Sequence, residues 1–129
     1  MLYLDTSAAL KLVIAEPETT ELELWIAQRA GVPRVSSRLL RIELLRAVWR
    51  RAPRRVQRAH AILSAVALLS LDEAAPMAEA IGDPLVRSLD AIHLATAFGI
   101  RTDLTAFVCY NKRLCASAHA LGLPVESPA

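Results

Sequence analysis

The hydrophobic positions of the chain fall into short apolar runs and into longer stretches with helical spacing. The apolar runs predict β-strands at residues 2–5, 33–36, 68–71, 106–110 and 124–125. Apolar residues three and four positions apart predict helices at residues 7–14, 18–30, 38–51, 53–67, 73–81, 88–98 and 111–121. Because strands alternate with one or two helices, the order predicts right-handed crossovers and a parallel sheet with helices on both faces.

The length of 129 residues fits one domain, spanning residues 1–129. With 54% hydrophobic and 22% charged residues, the chain has the composition of a globular protein. No apolar run reaches the about 18–20 residues that a membrane span requires. We expect no signal peptide and a cytoplasmic location. Cys109 and Cys115 match neither a CxxC nor a zinc spacing, and we interpret them as free thiols.

The positive charge is unevenly distributed, although the formal net charge is only +2. Nine of the 13 arginines lie within residues 34–58, and Glu43 is the only acid in that window. This basic band predicts contact with a polyanion, and Arg46 and Arg50 are its first candidates. A solvated helical face remains the alternative interpretation.

Polar side chains follow two of the predicted strands. Asp5 ends the first strand, and Asn111 follows the strand at residues 106–110. Asp90 lies in the first turn of the helix at residues 88–98, behind the predicted cap Ser88. The carboxyl ends of parallel strands meet at one edge of a sheet, where ligands bind. Taken singly, each of these residues could instead serve as a helix cap or complement a helix dipole.

Glu43 lies in the arginine-rich helix, between an apolar face and Arg46 and Arg50. It is either an ordinary ion-pair partner of these arginines or a fourth polar group at the same edge. Carboxylates gathered at one edge repel one another unless a cation neutralises them. Hard oxygen ligands suit Mg²⁺ or Mn²⁺. His93 follows Asp90 by one helical turn, and we interpret it as a packing or hydrogen-bonding residue.

Four segments, in this order, resemble the signatures of PIN-domain ribonucleases: LYLDTSAALKL, RIELLRAV, SLDAIHLATA and FVCYNKRLCASAHALGLPV. The nearest resemblance is to the VapC-type toxins of bacterial toxin–antitoxin pairs. It implies a three-layer α/β/α sandwich with a central parallel sheet and a Mg²⁺-dependent endoribonuclease activity. It also implies that Asp5, Glu43 and Asp90 take three acidic positions of the family, with Thr6 or Ser7 beside the first. The implied partners are RNA, a cognate antitoxin and a second copy of the chain.

One position departs from the family pattern, which has aspartate where this chain has Asn111. Asparagine offers one neutral oxygen where aspartate offers two charged ones. Asp103 precedes Asn111 by eight residues with a strand between them, so we expect it at the opposite edge of the sheet. The departure leaves open a domain that binds RNA or an antitoxin without turnover. A phosphatase or receiver domain is a further alternative, but neither acid pattern is complete around Asp5.

The resemblance leads to a mechanistic hypothesis in which Asp5 and Asp90 hold the metal and Glu43 orients or deprotonates a water molecule. The groups expected to position that water or the phosphate are Asn111, Thr6 and Ser7. Lys112 could contact a phosphate group. Both tryptophans follow apolar helical spacing, so we expect Trp25 and Trp49 to pack in the core or between subunits. The residues expected to line a partner groove are Leu10, Val13, Leu22 and Trp25.

Overall fold

A computed structural model describes all residues, 1–129, and contains five parallel strands and seven α-helices. The strands are β1 (Leu2–Leu4), β2 (Arg34–Ser37), β3 (Ala67–Leu69), β4 (Ala106–Val108) and β5 (Val125–Glu126). The helices are α1 (Thr6–Val13), α2 (Thr19–Ala27), α3 (Leu39–Arg51), α4 (Val56–Ser64), α5 (Leu71–Ala80), α6 (Ser88–Gly99) and α7 (Lys112–Ala120). The strand order is β3-β2-β1-β4-β5, so β1 lies at the centre.

Alternating side chains of the central strand belong to two separate hydrophobic cores. Leu2 and Leu4 point to one face and pack with α1, α2, α3 and α4, whereas Tyr3 points to the other and packs with α6 and α7. Successive residues of a strand face opposite sides of the sheet, and both sides here are covered. The predicted three-layer α/β/α sandwich is therefore confirmed. None of the helices combines the length and the apolar character needed to cross a membrane.

The element boundaries differ from the predicted ones mainly where polar residues end a strand or begin a helix. The third strand ends at Leu69 because the hydroxyl of Ser70 caps α5 by accepting a hydrogen bond from the amide of Asp72. The helix predicted at residues 53–67 divides into a 3₁₀ turn at Pro53–Arg55 followed by α4. Helix α6 begins at Ser88, but its N-cap is Arg87 and no side chain caps it, so the cap predicted at Ser88 is wrong.

The cysteines correct one interpretation. The structure joins Cys109, just after β4, to Cys115 in α7 as a disulfide, with Cα atoms 6.2 Å apart. This separation lies within the usual range for a disulfide. The interpretation of both residues as free thiols is therefore wrong, because the turn between β4 and α7 brings them together.

Two apolar predictions also change. The Trp49 residue is 60% exposed on α3, so it does not pack in the core of this chain. Leu22 is fully buried and Val13 nearly so, and both belong to the core between the sheet and α1–α4. Leu22 therefore does not line an open groove, whereas Val13 borders a surface pocket that Arg58 also lines. Trp25 is partly buried, and the Arg29 guanidinium lies 3.9 Å from the centre of its ring.

Candidate active site

Asp5 marks the carboxyl end of the central strand and is 4% exposed. It is also the N-cap of α1, since Oδ2 accepts hydrogen bonds from the amide and the hydroxyl of Ser7, at 3.1 and 2.6 Å. The Ser7 hydroxyl in turn accepts a 2.9 Å hydrogen bond from the amide of Tyr110. The cap interpretation of Asp5 thus holds for one oxygen. The other oxygen, Oδ1, has no hydrogen-bond donor in the chain and lies 3.8 Å from Nε2 of His93.

Glu43 reaches the same edge of the sheet from the second turn of α3. Its Oε1 atom accepts a 2.7 Å hydrogen bond from the Thr6 hydroxyl and lies 2.7 Å from Nε2 of His93. Burial disfavours the charged carboxylate, but these two hydrogen bonds and the His93 charge outweigh it and lower the pKa of Glu43. Glu43 makes no ion pair with the arginines of its own helix, so the ordinary ion-pair interpretation is wrong.

Asp90 lies in the first turn of α6 and is partly buried. Its carboxylate forms no ion pair and no hydrogen bond with another side chain. Burial raises its pKa first, and the negative charges of Asp5 and Glu43 raise it further. Asp90 lies one helical turn before His93, whose Nε2 contacts Glu43 and lies 3.8 Å from Asp5, so α6 brings Asp90 to the same edge of the sheet. Asp90 thus provides unpaired oxygens at the edge where Asp5 and Glu43 are already anchored.

The interpretation of His93 as a packing or hydrogen-bonding residue is confirmed, and the structure places it at the candidate site. It lies one turn after Asp90 on α6, is 1% exposed, and has hydrogen-bonding contacts at both ring nitrogens. Nδ1 lies 2.7 Å from the hydroxyl of Tyr3, and Nε2 faces Glu43. Burial lowers the pKa of His93, but the Glu43 hydrogen bond and the surrounding carboxylates raise it overall. The spacing from Asp90 was the available signal, because i and i+3 residues share a helix face.

Asn111 behaves as the helix cap that its position also suggested. Its Oδ1 atom accepts hydrogen bonds from the amides of Arg113 and Leu114, at 3.1 and 3.2 Å, and opens α7. The side chain is exposed and forms no hydrogen bond with the three carboxylates. Lys112 is exposed beside it. Asp103 lies at the opposite edge, where its carbonyl oxygen accepts a hydrogen bond from the amino group of Met1.

We call the edge of the sheet that carries Asp5, Glu43 and Asp90 the acidic edge. Its oxygen atoms are of the type that a hard divalent cation prefers, but they do not form a closed cage. No three acidic, histidine or cysteine side chains are arranged closely enough to hold a metal by themselves. Unpaired oxygens nevertheless remain on Asp5 and Asp90. Mg²⁺ commonly keeps several waters and takes only one or two carboxylates together with substrate phosphate. The residues therefore fit a hydrated ion whose remaining ligands come from outside the chain.

The basic band at residues 34–58 contains arginines that form ion pairs and arginines that do not. Arg51 and Arg58 lie 3.7 Å from the carboxylates of Glu16 and Glu23, respectively. Arg46 and Arg50 are exposed and form no ion pair. They follow Glu43 by three and seven residues on α3, which places them along the same side of the helix. An unneutralised basic surface therefore adjoins the acidic edge.

Comparison with known proteins identifies the family of the chain. The PIN domain family matches residues 2–119. The chain is 45% identical over 132 residues to Ribonuclease VapC47 of Mycobacterium tuberculosis, covering 99% of this chain and 97% of that protein. It is 38% identical over 131 residues to Ribonuclease VapC35 of the same organism, with the same coverage. Ribonuclease VapC46, also from Mycobacterium tuberculosis, is 36% identical over 128 residues, covering 98% and 97% of the two chains. The chain therefore belongs to the PIN-domain family, as a VapC-type member.

Proposed function

We propose that this protein is a Mg²⁺-dependent endoribonuclease that hydrolyses RNA phosphodiester bonds, and that it is the toxin of a toxin–antitoxin pair. The observation that carries the proposal is the position of His93, whose Nε2 lies 2.7 Å from Glu43 and 3.8 Å from Asp5 and whose helix holds Asp90 one turn earlier. The ribonuclease names of three VapC relatives that match nearly the whole chain support the same activity.

In this proposal Asp5 and Asp90 hold the Mg²⁺ ion, with Mn²⁺ as a possible substitute, through the oxygens that have no donor in the chain. A bound divalent cation would stabilise negative charge developing on the phosphate and make a coordinated water more acidic. Since Asp90 is destabilised as an anion by burial and by its acidic neighbours, a cation at this point would relieve that repulsion.

The lowered pKa of Glu43 fits a group that remains ionised and orients water by accepting its hydrogen bond. A carboxylate with a lowered pKa is a weaker base, so orientation is the better-supported of the two roles considered for Glu43. Thr6 holds Glu43, and Ser7 holds Asp5. We therefore assign both hydroxyls to the positioning of carboxylates. Asn111 positions the start of α7 beside the site.

RNA is proposed to approach over α3 and the start of α7. Arg46 and Arg50 carry free guanidinium groups next to the acidic edge, and Lys112 is exposed at the opposite side of it. Cationic side chains attract phosphate groups from a distance and orient the backbone without reading its sequence. The acidic edge would repel that backbone if a cation did not lie between them.

The proposed protein partners are a cognate antitoxin and a second copy of the chain, in the cytoplasm. Large apolar side chains are exposed on both sides of the acidic edge: Ile42 and Trp49 on α3, and Leu85 and Leu89 next to and within α6. Exposed apolar groups around a polar centre are typical of surfaces that bind proteins. Light scattering of the purified protein would test the dimer, and co-purification with its co-expressed antitoxin would test the pair.

The proposed activity is tested by incubating cellular RNA with the protein in EDTA, Mg²⁺ or Mn²⁺. We expect cleavage only with a divalent cation. Asp5→Asn is the informative variant, because asparagine retains an oxygen that can cap α1 but lacks the charge needed for the metal. Metal-independent cleavage, or full activity of this variant, would reject the proposed mechanism.

The alternative is a PIN-like domain that binds RNA or an antitoxin without turnover, which the use of Asn111 as a helix cap favours. An RNA-binding measurement in the same metal series separates the two. Binding without cleavage in both Mg²⁺ and Mn²⁺ would select the alternative.

A further inference from the structure

We propose that His93 is a positioning residue that holds one oxygen of the Glu43 carboxylate in place through Nε2. Tyr3 orients the imidazole through the other ring nitrogen, Nδ1. The inference deepens the proposed nuclease function and rests on it. It assigns a defined role to a buried residue beyond the three carboxylates.

The hydrogen-bond geometry begins at a buried tyrosine. The hydroxyl oxygen of Tyr3 accepts a 3.2 Å hydrogen bond from the amide of Ser37, and the same hydroxyl lies 2.7 Å from Nδ1 of His93. A hydroxyl that accepts from an amide can give its single proton to the ring nitrogen.

This arrangement determines that the ring nitrogen facing Glu43, Nε2, carries a proton. When Nδ1 accepts from Tyr3, the proton of the neutral imidazole must lie on Nε2. In the doubly protonated imidazolium, Nε2 also carries a proton. In either state Nε2 therefore donates to Oε1 of Glu43, which lies 2.7 Å away.

The consequence for Glu43 is an asymmetric carboxylate. Oε1 accepts hydrogen bonds from both His93 and Thr6, whereas Oε2 has no hydrogen-bond partner in the chain. A free glutamate at this point of α3 would be expected to pair with Arg46, one turn further along the helix. The structure has no such pair. His93 and Thr6 thus hold Glu43 at the acidic edge against the attraction of its own basic helix.

The two amide replacements of His93 separate positioning from packing. The amide nitrogen of glutamine in His93→Gln can take the place of Nε2, whereas the shorter asparagine in His93→Asn can meet Tyr3 but not Glu43. We expect His93→Asn to lower kcat by about 10–100-fold with an unchanged KM for RNA, since loss of outer-shell partners has effects of this size. His93→Gln should retain most of the activity. His60→Gln, at an exposed histidine of α4, is the control.

A second readout does not depend on turnover. If Glu43 orients a water molecule that the ion coordinates, as proposed, calorimetric titration with Mn²⁺ should show weaker binding for His93→Asn than for the wild type. In a Glu43→Gln background the same change should have no further effect, because the carboxylate that His93 positions is gone. Thermal unfolding of each variant reports packing separately.

The outcomes distinguish the inference from the proposed function. Equal behaviour of His93→Asn and His93→Gln, or a His93→Asn effect that persists in full in the Glu43→Gln background, would overturn the positioning role alone. A wild-type protein that neither binds Mn²⁺ nor cleaves RNA would overturn the proposed function and this inference with it.

Discussion

Nε2 of His93 lies 2.7 Å from Oε1 of Glu43, although the two residues are 50 positions apart in the chain. The contact joins α6 to α3 across the carboxyl edge of the sheet. It also places a proton donor among Asp5, Glu43 and Asp90, whose charges raise the pKa of the imidazole. The chain therefore supplies a partner for the acids itself, and a divalent cation would be added to an edge that is already organised.

Replacing Asp90 by asparagine should separate activity from stability. The raised pKa of Asp90 means that its ionised form is disfavoured in the folded, metal-free protein at neutral pH. Asp90→Asn removes that charge, so the free energy of unfolding measured in EDTA should not fall. Cleavage in Mg²⁺ should fall by more than the about 100-fold associated with outer-shell residues.

The matched control for this change is Asp83→Asn, in the segment just before α6. Asp83 is exposed, and its Oδ1 accepts a 2.9 Å hydrogen bond from the amide of Leu85 that asparagine can also accept. It should leave cleavage unchanged. Equal loss of cleavage in both variants would indicate a general effect of negative charge rather than a metal ligand.

Asn111→Asp should increase affinity for Mn²⁺ without changing the fold. Aspartate caps helices about as well as asparagine, and its charge is favoured at the N-terminus of α7. The added carboxylate supplies the acid that the family pattern has at this position. Calorimetric titration should therefore show tighter Mn²⁺ binding, and RNA cleavage should rise with it.

Two further substitutions distinguish the effect of a charge at position 111 from the effect of the helix cap. Asn111→Ser keeps a capping oxygen and should leave both stability and metal affinity close to those of the wild type. Asn111→Ala removes the cap and should lower the free energy of unfolding by about 1 kcal/mol. If Asn111→Asp and Asn111→Ser bind Mn²⁺ equally, the site makes no use of a charge at this position.

The architecture could be predicted from the sequence because each strand is a short apolar run and each helix has its own apolar face. Leu2, Tyr3 and Leu4 form one continuous apolar run because they pack alternately into two cores, as a strand covered on both faces requires. Boundaries were less predictable where a polar side chain decides between strand end and helix start. Ser70 is an example, since its capping hydrogen bond moves the start of α5 to Leu71.

Asp5 and Asp90 could be expected at one edge of the sheet from the sequence, because strand ends and first helical turns are fixed by the fold, whereas the position of Glu43 was implied by the family resemblance. The hydrogen-bonding partners of these acids could not be expected. Oε1 of Glu43 contacts Thr6 and His93 and forms no pair with Arg46. This choice of partners depends on how α6 packs against α3. The pairing of Cys109 with Cys115 likewise depends on the turn between β4 and α7. Such contacts between distant elements leave no periodic signal in a single sequence.

The stability of the metal-free protein should depend on pH through His93 and Glu43, with opposite signs. The folded-state pKa of His93 is raised, so its contribution is fully present below the unfolded value of about 6.5 and is lost as pH rises through the folded pKa. The pKa of Glu43 is lowered, so its contribution is present above about 4.5 and is lost as the pH falls through the folded pKa.

Denaturant unfolding in EDTA at a series of pH values would measure both effects. The free energy of unfolding should decline on the alkaline side of pH 6.5, and this decline should be absent from His93→Gln. An unchanged alkaline decline in that variant would show that another group is responsible. Glu43→Gln should similarly remove part of the acid-side loss.

The electrostatic contribution of α3 to RNA binding should appear as a change in salt dependence. Arg46 and Arg50 are exposed and unpaired, so each can neutralise a phosphate. For single strands, the slope of log affinity against log salt concentration changes by about 0.7 for each phosphate contact. Arg46→Gln with Arg50→Gln should therefore weaken binding and reduce the slope by about 1.4 if both contacts are made.

The measurement is a titration of single-stranded RNA at several salt concentrations, with Asp90→Asn present in every protein so that the RNA is not cleaved. Arg101→Gln is the control, because it removes one positive charge at the opposite edge of the sheet, where Arg101 packs over the ring of Phe98. It should leave the slope unchanged. Arg101→Gln could instead reduce the slope by half as much as the double α3 variant does. In that case net charge, and not the basic surface beside Glu43, attracts the RNA, and the proposed path over α3 is wrong.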